Sequence, residues 1–171
     1  MKKLFITLGI IIFVVGIASA QKFAYVDTEY ILKKVPSYKT AQDQLEKLST
    51  QYQKEVEAAY QKVDDLFKKY QSEKVLLSES MRQTREKEII DREKEVKDLQ
   101  QKYFGPEGTI AKKQEELLKP IQDQVFNAIK TLANDGGYAT IFDVSNNPGI
   151  IYNNPKYDLS DKVVEKLGYK N

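Results

Sequence analysis

The chain has 171 residues, 27 basic and 25 acidic side chains for a formal charge of +2, and no Cys, His or Trp. Disulfides, zinc fingers, a thiol nucleophile and a histidine general base are therefore excluded, and a charge this close to zero is no polybasic signature for nucleic acid. Apolar residues are 41% and charged residues 30% of the chain, a balance that leans towards exposed helix.

Lys2 and Lys3 precede the apolar run Leu4–Ile17, which ends at Ala18-Ser19-Ala20. A basic start, an apolar stretch and an A-x-A site are the parts of a secretory signal peptide. As helix the run is about 21 Å long, short of the roughly 30 Å of a bilayer core, so cleavage between Ala20 and Gln21 is expected rather than a membrane anchor. No Cys follows the site to carry a lipid. Removing residues 1–20 takes two lysines and no acids, leaving 25 basic (27 − 2) against 25 acidic groups.

Lys22–Asp27 is short, aromatic and β-branched, and reads as a strand. Thr28–Val35 reads as a short helix capped by Asp27 or Thr28. Pro36-Ser37 ends it, with Ser37 a candidate cap for the next helix. From Ala41 the apolar residues fall at 41, 45, 48, 52, 56, 59, 63, 66 and 70. That is a heptad seam with one four-residue stutter. No Gly or Pro interrupts residues 37–104, and Asp43–Lys47, Asp64–Lys68, Asp65–Lys69, Glu88–Arg92 and Glu93–Lys97 stand at helix-supporting i, i+4 spacing. A helix over 38–77 is about 60 Å long, so it has to protrude from a domain of this size.

The serines of Leu77-Ser78-Glu79-Ser80 mark a turn and cap a returning helix. That helix carries Ile89, Val96, Leu99 and Tyr103 on one stripe, with Arg85 and Arg92 on the same stripe loosening the seam towards the tip. Phe104-Gly105-Pro106-Glu107-Gly108 breaks the helix. A further helix from Ile110 passes Pro120, where a kink is expected, and stops at Asn134-Asp135-Gly136-Gly137. Tyr138–Val144 and Ile150–Tyr152 read as the two strands of a hairpin around Ser145–Gly149. Asp158 or Ser160 then caps a last helix with Val163, Val164 and Leu167, closed by Gly168. The fold class is α+β: a small β body holding both chain ends, about 21–36 and 133–171, with a helical hairpin over about 37–132 inserted in it.

Several motifs invite chemistry and are better read otherwise. Asp143–Gly149 resembles a calcium loop, but its glycine is one place late and its twelfth position is Asn154 instead of a bidentate Glu, so a β-turn is the better reading. Asp27 and Asp143 at strand ends are turn acceptors or caps rather than a catalytic pair. Gly105 and Gly108 follow no strand and make no phosphate loop. Residues 40–104 hold 13 basic and 14 acidic groups, interleaved, the pattern of a solvated coiled-coil face. Leu76, Leu77 and Met81 at the turn are hairpin-tip packing, the better reading, or binding contacts. No catalytic residue, metal ligand or cofactor site emerges, and no enzyme is expected.

Taken in order, Phe23–Asp27, Ile31-Leu32, the coiled hairpin, Lys119-Pro120-Ile121-Gln122 through Ala128-Ile129, Gly137–Asp143, Ile151-Tyr152 and Tyr157–Ser160 before Val163-Val164 resemble the Skp/OmpH family of periplasmic chaperones. The resemblance covers residues 22–168. It implies a homotrimer with a shared β body, three helical tentacles, and ATP-independent holding of unfolded outer-membrane β-barrel proteins between them. In that body Phe23, Tyr25, Ile141 and Phe142 are expected to pack. Family members with strongly basic tentacles suit lipopolysaccharide or anionic membranes; this near-neutral tentacle supports such contact weakly, and no residues are assigned to it. A coiled-coil adaptor of the cell envelope, bridging folded partners, is the competing function. A holdase binds many unfolded precursors, an adaptor one folded partner.

Overall fold

A computed structural model describes residues 21–145 and 147–169. The expected signal segment, with Ala20 of its cleavage site, thus lies outside the described residues on their N-terminal side, and among the described residues no helix is long and apolar enough to cross a membrane. In chain order the elements are β1 (Lys22–Val26), α1 (Thr28–Lys33), α2 (Pro36–Glu73), a 3-10 turn (Lys74–Leu76), α3 (Glu79–Phe104), α4 (Thr109–Gly136), β2 (Tyr138–Asp143), a second 3-10 turn (Pro155–Tyr157) and α5 (Ser160–Lys166). Two compact units result: 21–31 with 125–169, and 32–124.

The first unit is built on the β1–β2 pair, which is parallel, with Phe23 opposite Thr140, Ala24 opposite Ile141 and Tyr25 opposite Phe142. This corrects the expected β-hairpin. Ile150–Tyr152 is not a strand: the Asn147 side-chain oxygen accepts the Gly149 amide at 3.1 Å, and the chain then runs without regular structure to Pro155. Instead of folding back on β2 it reaches the far side of β1, where the Leu159 amide donates to the Tyr25 carbonyl at 2.9 Å. Parallel strands need a long crossover connection, and the helices between β1 and β2 are that connection. Ala24, Val26, Ile31, Leu159, Val163 and Val164 are all buried, each of the larger side chains contributing roughly 1.5–3 kcal/mol.

Polar side chains fix the junctions of this unit. Asp27 Oδ1 accepts the Tyr30 amide at 2.9 Å, making Asp27 the cap of α1. The Asp27 amide in turn donates to the buried Ser160 hydroxyl at 2.8 Å, and that hydroxyl donates to Asp158 Oδ1 at 2.6 Å. Asp143 is the turn acceptor expected of it: Thr28 donates from its amide and hydroxyl, Ser145 from its amide. Burial alone would raise its pKa, but these hydrogen bonds outweigh that and hold the carboxyl below its ordinary range. Gly137 and Gly168 take positive φ where α4 and α5 end, a conformation that favours glycine.

The second unit is the helical hairpin. α2 is 38 residues, about 57 Å long. It starts two residues earlier than a Ser37 cap would place it, with Val35 at the N-cap and Pro36 in the first turn, where a proline loses no hydrogen bond. The turn falls where the serines place it: Ser78 is the N-cap of α3 and accepts the Met81 amide. The Phe104–Gly108 break is also present, separating α3 from α4, whereas α4 continues as one helix through Pro120.

Candidate functional site

Every position of the expected seam is turned inward. Ala41, Val56 and Tyr70 are buried, and 45, 48, 52, 59, 63 and 66 are half-buried. On α3, Ile89 and Val96 are buried opposite them. Apolar side chains at 4-3 spacing leave one solution, a stripe closed against a partner helix.

Tyrosines reinforce the seam with polar clamps across the two helices. Tyr52 and Tyr103 stack with ring centroids 3.9 Å apart and planes within 6°. The Tyr103 hydroxyl donates to Glu55 Oε2 at 2.6 Å. That bond draws the Glu55 carboxyl below its ordinary pKa and pushes the Tyr103 phenol up. Nearer the tip the Tyr70 hydroxyl donates to Glu86, and Arg82 Nε donates to the Lys74 carbonyl at 3.0 Å, satisfying the end of α2. Tyr70 and Ile89 are as buried as Val56, so the loosening towards the tip anticipated from Arg85 and Arg92 is absent. Arg85 folds onto Glu88 at 3.0 Å and Arg92, exposed, onto Glu95 at 2.7 Å. Of the five anticipated ion pairs, Asp64–Lys68 forms, while Asp43 pairs with Lys39 instead of Lys47.

The two faces flanking the seam differ in character. One is a shallow groove lined by Lys62, Leu66, Lys69, Glu88, Arg92 and Leu99, with charged groups along its rims. The other brings Val56, Tyr60, Gln100 and Phe104 together. Tyr60, Phe67, Ile90 and Phe104 are exposed. Phe67 follows Tyr60 by one heptad and Ile90 precedes Phe104 by two, so helical spacing aligns each pair. These residues were missed by reading the seam alone. Their signal was in the sequence, as apolar residues at heptad spacing off the seam.

At the tip Leu76 is 85% and Val75 83% exposed, Met81 is also exposed and Leu77 half-buried. The structure therefore presents Leu76 and Met81 to solvent and adds Val75 to them. In the first unit Tyr25 is buried, Ile141 half-buried, and Phe23 and Phe142 are about half exposed. Phe23 and Phe142 meet with ring centroids 6.4 Å apart, so the sheet pairing brings these two together on one face. Among the described residues no group of three or more His, Cys, Asp or Glu is placed to hold a metal ion.

A parallel strand pair connected by a long helical hairpin, with apolar side chains left open along its arm, is an architecture with known relatives. Residues 22–167 match the family described as outer membrane protein (OmpH-like), and the chain belongs to that family. An uncharacterised protein of Aquifex aeolicus (strain VF5) is 28% identical over 167 residues, covering 98% of this chain and 96% of that one. In fold the chain is similar to the crystal structure of a proposed OmpH-like outer membrane chaperone from Caulobacter crescentus CB15. The TM-score is 0.66 at 12% identity, over 87% of this chain and 85% of that one.

Proposed function

We propose that the mature chain is an ATP-independent periplasmic holdase that binds unfolded outer-membrane β-barrel proteins between helical tentacles and keeps them from aggregating. The observation that carries this reading is the hairpin: its seam is closed by buried side chains, while Tyr60, Phe67, Ile90, Phe104, Val75, Leu76 and Met81 stay open to solvent. Apolar side chains left partly open along the arm and at its tip suit many weak, sequence-tolerant contacts. Such capture needs no chemistry and no nucleotide.

A cavity between tentacles requires more than one copy, and we take the assembly to be a homotrimer. Supporting this, among the described residues the sheet has two strands and β2 has β1 as its one neighbour. Two strands alone are marginal, and an open edge invites pairing. The half-exposed Phe23–Phe142 pair and the exposed Ile151 and Tyr152 lie in the same unit as that edge.

The test is light scattering after diluting a urea-unfolded outer-membrane barrel into buffer with and without residues 21–171. Suppressed aggregation, with no binding to the folded barrel, is expected. Binding to a single folded partner and no suppression would sink the holdase in favour of an adaptor.

A further inference from the structure

The break between α3 and α4 looks, from its glycines, like a flexible hinge in the arm. Its geometry says otherwise. Neither Gly105 nor Gly108 takes a positive φ, so neither is there for conformational freedom. Gly105 sits at φ −63° and ψ 167°, which any residue adopts.

Both glycines are required by close approach. A Cβ on Gly105 would overlap the Gln101 carbonyl oxygen, and one on Gly108 would lie 2.8 Å from the Tyr103 carbonyl oxygen and 2.9 Å from the Gly105 backbone. The chain folds tightly back on the end of α3, and Gly108 is buried there. The backbone groups released by the break are re-used within it. The Gly105 amide donates to Gln101 O at 2.8 Å, the Gly108 amide to Gly105 O at 2.8 Å, and the Lys112 amide to Gly108 O at 3.1 Å. One bond crosses from α4 to α3: the Thr109 hydroxyl donates to Lys102 O at 3.3 Å. Pro106 fixes its own φ inside the loop.

The α3 side of the break is anchored as well. Tyr103 is stacked on Tyr52 and bonded to Glu55, Phe104 meets the Tyr103 ring edge-on at 6.4 Å, and the Lys102 ammonium stands 5.6 Å over the same ring. We propose that residues 105–108 are a rigid bracket, closed by glycine close packing and locked to α2 by the Tyr52–Tyr103–Glu55 clamp, which sets a fixed offset between α3 and α4 and does not act as a hinge.

The chain has no cysteine, so spin labels can be placed without background. Lys94→Cys on α3 and Gln122→Cys on α4 report the distance across the bracket by electron–electron double resonance in the full mature protein. With labelled chains diluted into an excess of unlabelled ones, so that an assembly carries one labelled pair, one narrow distance is expected with the native loop, and a distribution at least twofold broader, or shifted, in Gly105→Ala and Gly108→Ala. Hydrogen exchange on the unsubstituted protein gives a second readout that survives if those variants fail to fold. The Gly105, Gly108 and Lys112 amides should be protected like those of the flanking helices. A broad distribution with the native loop, exchange of these amides at unstructured-peptide rates, or alanine variants as narrow and unshifted as the parent would each overturn the bracket.

Discussion

Replacing Phe67 and Ile90 together with serine tests the proposed client surface apart from the seam that folds. Phe67 is 47% and Ile90 61% exposed, so about half of each side chain is still available for a client to cover. Full burial of such a side chain stabilises by about 1.5–3 kcal/mol, which leaves roughly 1 kcal/mol at each position. A client that engages both therefore loses about 2 kcal/mol, and its dissociation constant rises about thirtyfold. The same substitutions remove little folding free energy, because exposed sites contribute little to the native state. Val96→Ala is the counterpart. It deletes two buried methyl groups from the seam at about 1.6 kcal/mol or more, and should lower the melting temperature while leaving client affinity near that of the parent. The assay is fluorescence anisotropy of a labelled, urea-diluted barrel, read beside thermal unfolding followed by circular dichroism. If the serine pair binds clients as tightly as the parent while melting normally, the open face of the hairpin is not where clients rest.

Excising matched heptads, 63–69 with 89–95, should keep the assembly state and reduce protection of large barrels before small ones, measured by light scattering; equal protection of both would remove the cavity from the mechanism. Phe142→Asp puts a charge on a half-exposed position of the first unit. Sedimentation should show it dissociating a particle of roughly three mature chains, since an unpaired charge costs several kcal/mol to bury; an unchanged sedimentation coefficient would place Phe142 outside the contact. Asp143 has a folded pKa below its unfolded value of about 3.9. Its contribution to stability is thus present above that value and lost as pH falls through the folded pKa. Asp143→Asn should accordingly flatten the acid limb of a stability-versus-pH curve, and an acid limb identical to the parent's would refute the assignment. Intact mass from a periplasmic extract should give a chain starting at Gln21; a membrane-retained chain still carrying Met1 would contradict processing.

The helical arm was legible because its signal is local and over-determined. A 4-3 apolar spacing, an unbroken run without Gly or Pro, two serines at the turn and a Gly-Pro-Glu-Gly break each have one physical solution. Caps were less so: Pro36 claimed the first turn of α2 ahead of Ser37. Strand partnering failed for a different reason. Ile150-Ile151-Tyr152 has high β-propensity and follows an Asn-Pro-Gly turn, so a hairpin with Tyr138–Val144 is the best local solution. The actual partner of β2 is at the other end of the chain, and nothing in residues 138–152 encodes that. The clamp lay between these cases. Tyr52 and Tyr103 were both visible on their stripes, but their stacking depends on the register of two antiparallel helices, which the position of the turn sets.

The parallel pairing of β1 with β2 also fixes an order of events. Thr28 and Asp143, which hydrogen-bond at the end of that sheet, are 115 residues apart in sequence, whereas the arm between them is made of contacts between neighbouring helices. Helix pairs form in microseconds to milliseconds, and distant strand pairings are slower. In a chain synthesised N-terminus first, β1 emerges long before anything exists for it to pair with, and it stays an unprotected strand until the last quarter of the sequence follows. The arm folds in that interval and carries the two ends of the sheet towards each other. Its stability therefore bears on how long each newly made chain is itself aggregation-prone.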